Sequence, residues 1–160
     1  MRYVLLDGFD IYNGPGTRVT LWVSGCPHHC DGCHNAWTWN PDQGEYYSDK
    51  LVEDILHKLD EYFPKDLSIL GGEPLAPYNI DGVMDLLKKI KEKRPQTNVW
   101  LWTGYQVEEF EGHEIFNYLD TVVDGPFKKE LFIKHKYYGS SNQRIHHYKD
   151  GKEISVSEVE

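Results

Sequence analysis

Four short apolar runs, each closed by glycine or a polar turn and separated by amphipathic stretches, most constrain what this chain of 160 residues can fold into. Val19 to Val23 (Val-Thr-Leu-Trp-Val) reads as a buried strand ending at Ser24-Gly25. Leu67 to Leu70 is the next strand, halted by Gly71-Gly72. Val99 to Trp102 is the third, and Thr121 to Val123 the fourth, ending at Asp124-Gly125-Pro126. Between the first two, Ser48 caps a helix expected to run to about Phe63. Its apolar positions Leu51, Val52, Ile55, Leu56, Leu59, Tyr62 and Phe63 keep helical spacing, and Pro64 follows. A second helix starts at Asn79 or Asp81, turns Ile80, Val83, Met84, Leu87 and Ile90 inward, and stops before Pro95. A weaker helix, interrupted by Gly112, spans about Val107 to Leu119. Asp150-Gly151, between Arg144–Lys149 and Lys152–Val156, signals a hairpin.

Strand–helix alternation implies βαβ units and an α/β fold with a mostly parallel sheet. In such sheets chemistry gathers at the carboxyl ends of the strands. Cys26, Gly71-Gly72-Glu73, Thr103-Gly104 and Asp124-Gly125 each follow a predicted strand, so one fold would bring all four sets to one rim. The length suits one domain over residues 1–160 with its own core. A complete barrel takes about 250 residues, so the expected architecture is a partial (βα) barrel.

Charge excludes several function classes. The chain holds 17 Lys+Arg against 26 Asp+Glu, a formal net charge of −9. No basic block is longer than the short run Lys88 to Arg94, read as a solvated helix end. Binding to nucleic acid through phosphates is therefore not expected, nor is an anionic membrane surface. The apolar run in Met1 to Asp7 is too short for a signal peptide, and no stretch approaches a membrane span. The expected location is cytoplasmic.

All three cysteines lie between positions 26 and 33, an odd and crowded set that is no disulfide framework. In a reducing compartment such thiols serve as metal ligands or redox groups. Cys26, Cys30 and Cys33 stand at spacing x3 then x2 in Gly-Cys-Pro-His-His-Cys-Asp-Gly-Cys-His-Asn. Iron–sulfur clusters are held by thiolates on short loops. Three thiolates secure three irons of a 4Fe–4S cluster and leave the fourth without a protein ligand, and an open coordination site marks a catalytic metal. The same residues admit a zinc site with His28, His29 or His34 as the fourth ligand.

Cys-x3-Cys-x2-Cys after the first strand, followed by Gly71-Gly72-Glu73-Pro74 after the second, resembles the radical S-adenosylmethionine superfamily. A narrower resemblance is to the small activases of glycyl-radical enzymes, especially those of the anaerobic ribonucleotide reductase. It is carried by Asn13-Gly14-Pro15-Gly16-Thr17-Arg18, by Ser24-Gly25-Cys26 through Cys33-His34-Asn35, by Asp124-Gly125-Pro126-Phe127 and by Gly139-Ser140-Ser141-Asn142-Gln143-Arg144. Together these span about positions 10 to 147. Gly32, just before the third cysteine, departs from the aromatic residue of many superfamily members but suits the reductase activases. Trp100 to Trp102 stands where the pyruvate formate-lyase type of activase has an Asp.

The resemblance implies a fold of the radical S-adenosylmethionine type and two cofactors, a 4Fe–4S cluster on Cys26, Cys30 and Cys33 and S-adenosylmethionine chelating the open iron. Gly71 and Gly72 would admit the methionyl end closely, and Glu73 would accept hydrogen bonds from the cofactor or hold the glycine turn. Gly32, Cys33 and His34 would line its adenine side, and Asp124 would meet the ribose or amine or else cap a turn. Reductive cleavage would yield a 5′-deoxyadenosyl radical that takes hydrogen from a glycine of the large reductase subunit. A flavodoxin-like donor would supply the electron. Trp37 and Trp39 would shield the cluster loop or face the partner, and His146-His147 would occupy a hairpin face. Two rivals stand beside this: a small radical enzyme acting on a metabolite, as the deazaguanine synthases do, and a zinc-stabilised binding module without catalysis.

Overall fold

A computed structural model describes residues 1–158 of the chain. Eight strands form one sheet: β1 (Arg2–Asp10), β2 (Arg18–Val23), β3 (Glu45–Tyr46), β4 (Asp66–Gly71), β5 (Val99–Trp102), β6 (Thr121–Asp124), β7 (Arg144–Lys149) and β8 (Lys152–Glu158). The described residues hold two α-helices, α1 (Asp49–Asp60) and α2 (Ile80–Lys93). Across the sheet the strands run β3-β1-β2-β4-β5-β6-β7-β8.

This sheet is mixed, which corrects the expectation of a mostly parallel, partial (βα) barrel. Only β2–β4, β4–β5 and β5–β6 pair parallel. The pairs β1–β2, β1–β3, β6–β7 and β7–β8 are antiparallel. The reason lies in the connections. A parallel pair needs a crossover long enough to return the chain, usually a helix. Helices α1 and α2 serve the first two crossovers, but β5 and β6 are joined by two 3₁₀ turns, Val107–Phe110 and Glu114–Tyr118. These flank Gly112, whose φ of +80° ends any helical path. The expected third helix does not form, and chain reversals at both margins set the outer strands antiparallel.

Strand periodicity sorts the parallel strands into two faces. Val19, Leu21, Leu67, Ile69, Val99, Leu101 and Val122 are wholly buried beneath the helices. The helices answer with Leu51, Ile55 and Leu59, and with Val83, Leu87 and Ile90, at three- and four-residue intervals. Helix α1 stops at Asp60, because Glu61 is extended and Tyr62 is left-handed at φ +66°. Tyr62 and Phe63, expected on its inner face, are exposed instead. On the opposite face Trp100, Val123 and Ile145 cluster with Trp102, Tyr137 and Tyr138. The segment after β6 therefore folds back over this second face.

Arg18 ties the lower ends of the parallel strands. Its guanidinium is 1% exposed and donates to Ser68 Oγ (2.7 Å), Leu67 O (2.8 Å), Pro15 O (3.1 Å) and both oxygens of Asn98 (2.9 and 3.0 Å). Burial pulls its pKa down to about 10. Among the described residues, no helix is long and apolar enough to cross a membrane.

Candidate active site

The upper ends of β2, β4, β5 and β6 and the segment following β6 enclose a cavity of about 520 Å³. Cys26, Cys30 and Cys33 line one side of it, with His34, and Gly71, Gly72 and Glu73 line the next. The four post-strand sets expected to share a rim do so, although Asp124 lies behind the cavity wall and Gly125 takes its place in the lining. All three cysteines are unpaired thiols of intermediate exposure. Burial pushes the Cys26 and Cys30 thiols above their ordinary pKa.

Main-chain bonds hold the base of the cysteine loop. Gly25 N–H donates to Thr38 O (2.6 Å) and Cys26 N–H to Trp39 O (3.1 Å), so the 3₁₀ turn Ala36–Thr38 backs the loop. Cys33 N–H donates to Cys30 O at 3.1 Å, and Asn35 N–H reaches Cys33 Sγ at 3.4 Å. Gly32 at φ +75° makes the reversal between Cys30 and Cys33 that a side chain would strain.

Two distant motifs are locked together here. Gly72 N–H donates to Val23 O (3.2 Å) and Glu73 N–H to Gly25 O (2.7 Å). Asn79, the residue at which α2 starts, spends its Nδ2 on Ser24 O (2.9 Å) and Glu73 O (3.0 Å). The backbones approach so closely that a Cβ on Gly72 would collide with Gly25 O. A Gly72→Ala protein is expected to lose about 1–3 kcal/mol through this overpacking, read as a lower urea midpoint, with weaker cofactor binding as the two loops part.

Glu73 is 0% exposed. Its carboxylate accepts from Thr103 Oγ1 (2.7 Å), Gly104 N–H (2.7 Å) and Leu75 N–H (2.9 Å), and lies 2.7 Å from His28 Nε2. Of the two expected roles, holding the turn is the one its contacts describe. The carboxylate ties the β4 and β5 ends to the cysteine loop through His28. Those partners lie 45 and 30 residues away in sequence, and no spacing signal announces them.

Asp124 is likewise enclosed. Arg144 Nη2 (2.7 Å) and Val107 N–H (2.9 Å) reach its Oδ2, while Arg144 Nε (3.2 Å) and His146 Nε2 (2.9 Å) reach Oδ1. Burial alone would raise the Asp124 pKa, but the bonds from His146, Arg144 and Val107 outweigh it and hold it low. Burial opposes charge on His146, yet its bonds to Asp124 and Glu153 raise its pKa above the ordinary 6.5. A raised folded-state pKa gives stability that is complete below the unfolded value and is lost as pH climbs through the folded one. The urea midpoint is therefore expected to fall as pH rises above about 6.5, and His146→Gln should flatten that fall. The Gly139–Arg144 motif serves the same end: Gln143 Nε2 donates to Gly125 O (3.1 Å) and Asn142 Nδ2 to Pro126 O (2.8 Å), fixing the cavity's lower lip.

Residues 12–146 match a family described as a 4Fe-4S single cluster domain. The anaerobic ribonucleoside-triphosphate reductase-activating protein of Enterobacteria phage T4 is 37% identical over 151 residues, covering 94% of this chain and 97% of its own. Proteins of the same name from Vibrio cholerae serotype O1 and Escherichia coli K12 are 38% and 37% identical, each covering 92% of this chain and 99% of its own. The chain belongs to this activating-protein family. The family's 4Fe-4S domain takes in the cysteine loop, the Gly71-Gly72 turn and the Gly139–Arg144 motif together.

The donor set suits the cluster named for that domain. Three thiols share one wall of a cavity with room beside them. Two histidines considered for zinc are otherwise engaged: His28 meets Glu73, and His29 lies flat on Trp39 at 4.4 Å. His34 and Phe127 meet edge to face, their ring centres 5.5 Å apart. Trp22 and Trp39 line the cavity as well, and Trp22 packs against the half-exposed Trp37 at 5.6 Å.

Proposed function

We propose that this chain activates the anaerobic ribonucleotide reductase by radical S-adenosylmethionine chemistry, in the cytoplasm, with Cys26, Cys30 and Cys33 holding three irons of a 4Fe–4S cluster. The observation that carries the reading is the meeting of three thiols and a side-chain-free glycine turn in one cavity, within a chain of the activating-protein family. The chemistry supplied when both cofactors are bound is one-electron cleavage of the sulfonium and removal of an α-hydrogen from a glycine of the large reductase subunit. A flavodoxin-like protein provides the electron.

The chain's own residues prepare that chemistry. Gly71 and Gly72 present backbone alone to the cavity, leaving space for a methionyl group beside the thiols. Cys33 and His34 line the cavity where an adenine would lie, while Gly32 shapes the loop from outside the lining. Trp22, Trp39 and Trp102 add apolar surface to the lining, which disfavours water beside a reactive intermediate. Glu73, at the cavity wall, and Asp124, behind it, position the strand ends.

The test is electron paramagnetic resonance of the anaerobically reconstituted protein mixed with the large reductase subunit, S-adenosylmethionine and a reductant. A glycyl radical on the large subunit is the expected result. Deoxyadenosine formed without any radical on that subunit would move the assignment to an enzyme acting on a metabolite.

A further inference from the structure

The cysteine loop turns through a backbone conformation that its residues do not favour. His29 stands at φ +47°, in the left-handed region that a side chain disfavours. Such strain persists only where the surroundings enforce it, and it gathers at functional sites. Two side chains enforce it here. The His29 ring lies flat on Trp39, and the ring of its neighbour His28 is wedged against the ends of two other strands. The turn has a consequence for the first thiol. The main-chain N–H groups of His28 and His29 face Cys26, opposing the burial that raises its pKa.

His28 has little freedom in its seat. Its Nε2 lies 2.7 Å from Glu73 Oε1, and its ring meets Tyr105 edge to face, the centres 4.4 Å apart. Gly104 packs so tightly against it that a Cβ there would stand 2.6 Å from His28 Cδ2. The same Glu73 oxygen accepts the Gly104 N–H, and the other accepts from Thr103 Oγ1 and Leu75 N–H, so the anchor is held independently of His28. Among the described residues no main-chain hydrogen bond ties positions 27 to 32 to another element. The Phe127 N–H faces the Cys30 thiol from the β6 side, and the His28 side chain makes the tie to the ends of β4 and β5. Hydrogen bonds to the sulfurs are among the factors that set a cluster's potential. N–H dipoles aimed at sulfur favour the more negative, reduced state and so raise it.

We propose that His28 is a positioning residue for the cluster. Through Glu73 it holds the turn at His28 and His29, keeps two N–H groups on the Cys26 sulfur, and sets the cysteine loop in register with the Gly71-Gly72 turn. It acts through these groups and is not itself a ligand to iron. This role rests on the cluster reading above.

The test reads the cluster as well as the reaction. After anaerobic reconstitution, His28→Leu protein is expected to bind about four irons, as wild type does, because all three thiols remain. Its reduction potential, from a redox titration followed by electron paramagnetic resonance, should shift below the wild-type value. S-adenosylmethionine, read by its perturbation of the same signal, should bind at least about tenfold more weakly, since small misplacements of interacting groups are costly. His28→Gln still offers Glu73 an N–H and should recover most of both losses. Gly104→Ala leaves the loop sequence intact but pushes the His28 ring from its seat, so the potential should shift in the same direction; this variant decides the matter where His28→Leu does not fold. Wild-type potential and affinity in a folded His28→Leu protein, or in Gly104→Ala, would overturn the proposal. So would iron lost from both His28→Leu and His28→Gln, which would make His28 a cluster ligand. Wild type without labile sulfide would fail the cluster reading itself, and the role of His28 with it.

Discussion

A Glu73→Ala protein is expected to lose about 3–5 kcal/mol of folding stability, the range found when one member of a buried, hydrogen-bonded charged group is removed. The carboxylate is wholly buried, and its loss leaves the N–H groups of Leu75 and Gly104, the Thr103 hydroxyl and His28 Nε2 without their acceptor. Each buried donor left unpaired costs roughly 1–3 kcal/mol, and local relaxation recovers part of the sum. Glu73→Gln keeps an acceptor oxygen and should fall by less than half as much. Urea unfolding of the apo proteins measures both. A wild-type midpoint together with weakened S-adenosylmethionine binding would contradict this and put Glu73 on the cofactor.

A Cys30→Ala protein should fold nearly normally and yet cleave no S-adenosylmethionine. The thiol is only partly buried and its removal leaves no charged group unpaired, so stability should move by less than about 1 kcal/mol. Cluster assembly then has only two of its three thiolates. His28 is committed to Glu73 and His29 to Trp39, and two thiolates cannot secure three irons. Iron bound after anaerobic reconstitution should drop steeply, and deoxyadenosine should fall to background. Cleavage at the wild-type rate would show that Cys30 is not a ligand.

The parts of the fold legible in the residues are those buried on both faces. Strands β2, β4, β5 and β6 are short apolar runs because each is covered on both sides, and α1 and α2 show themselves by the spacing of Leu51, Ile55 and Leu59 and of Val83, Leu87 and Ile90. The Asp150-Gly151 turn made the β7–β8 hairpin equally plain. The sheet's other margin was not legible. In β1, Arg2, Asp7 and Gly8 interrupt the apolar pattern, since the strand is half exposed and register shifts break its pairing with β2. β3 is two exposed residues. The barrel expectation failed at Gly112, where propensity argued for a helix with a defect and the chain makes two separate turns.

At the site, cysteine spacing and the Gly71-Gly72 pair pointed to one rim because both follow strand ends. The ties that shape that rim were invisible. His28 to Glu73, Thr103 to Glu73 and Arg144 to Asp124 join side chains 20 to 45 residues apart, and such pairs depend on register rather than on local pattern. Asp124 was expected to meet the cofactor or to cap a turn, and its neighbours are two basic side chains from β7 and a main-chain N–H.

The most direct measurement is iron, acid-labile sulfide and deoxyadenosine release in a single anaerobic preparation of the whole chain. Expected are about four irons and four sulfides per chain, with deoxyadenosine appearing only when a reductant is added. One zinc per chain, no labile sulfide and intact S-adenosylmethionine would contradict it.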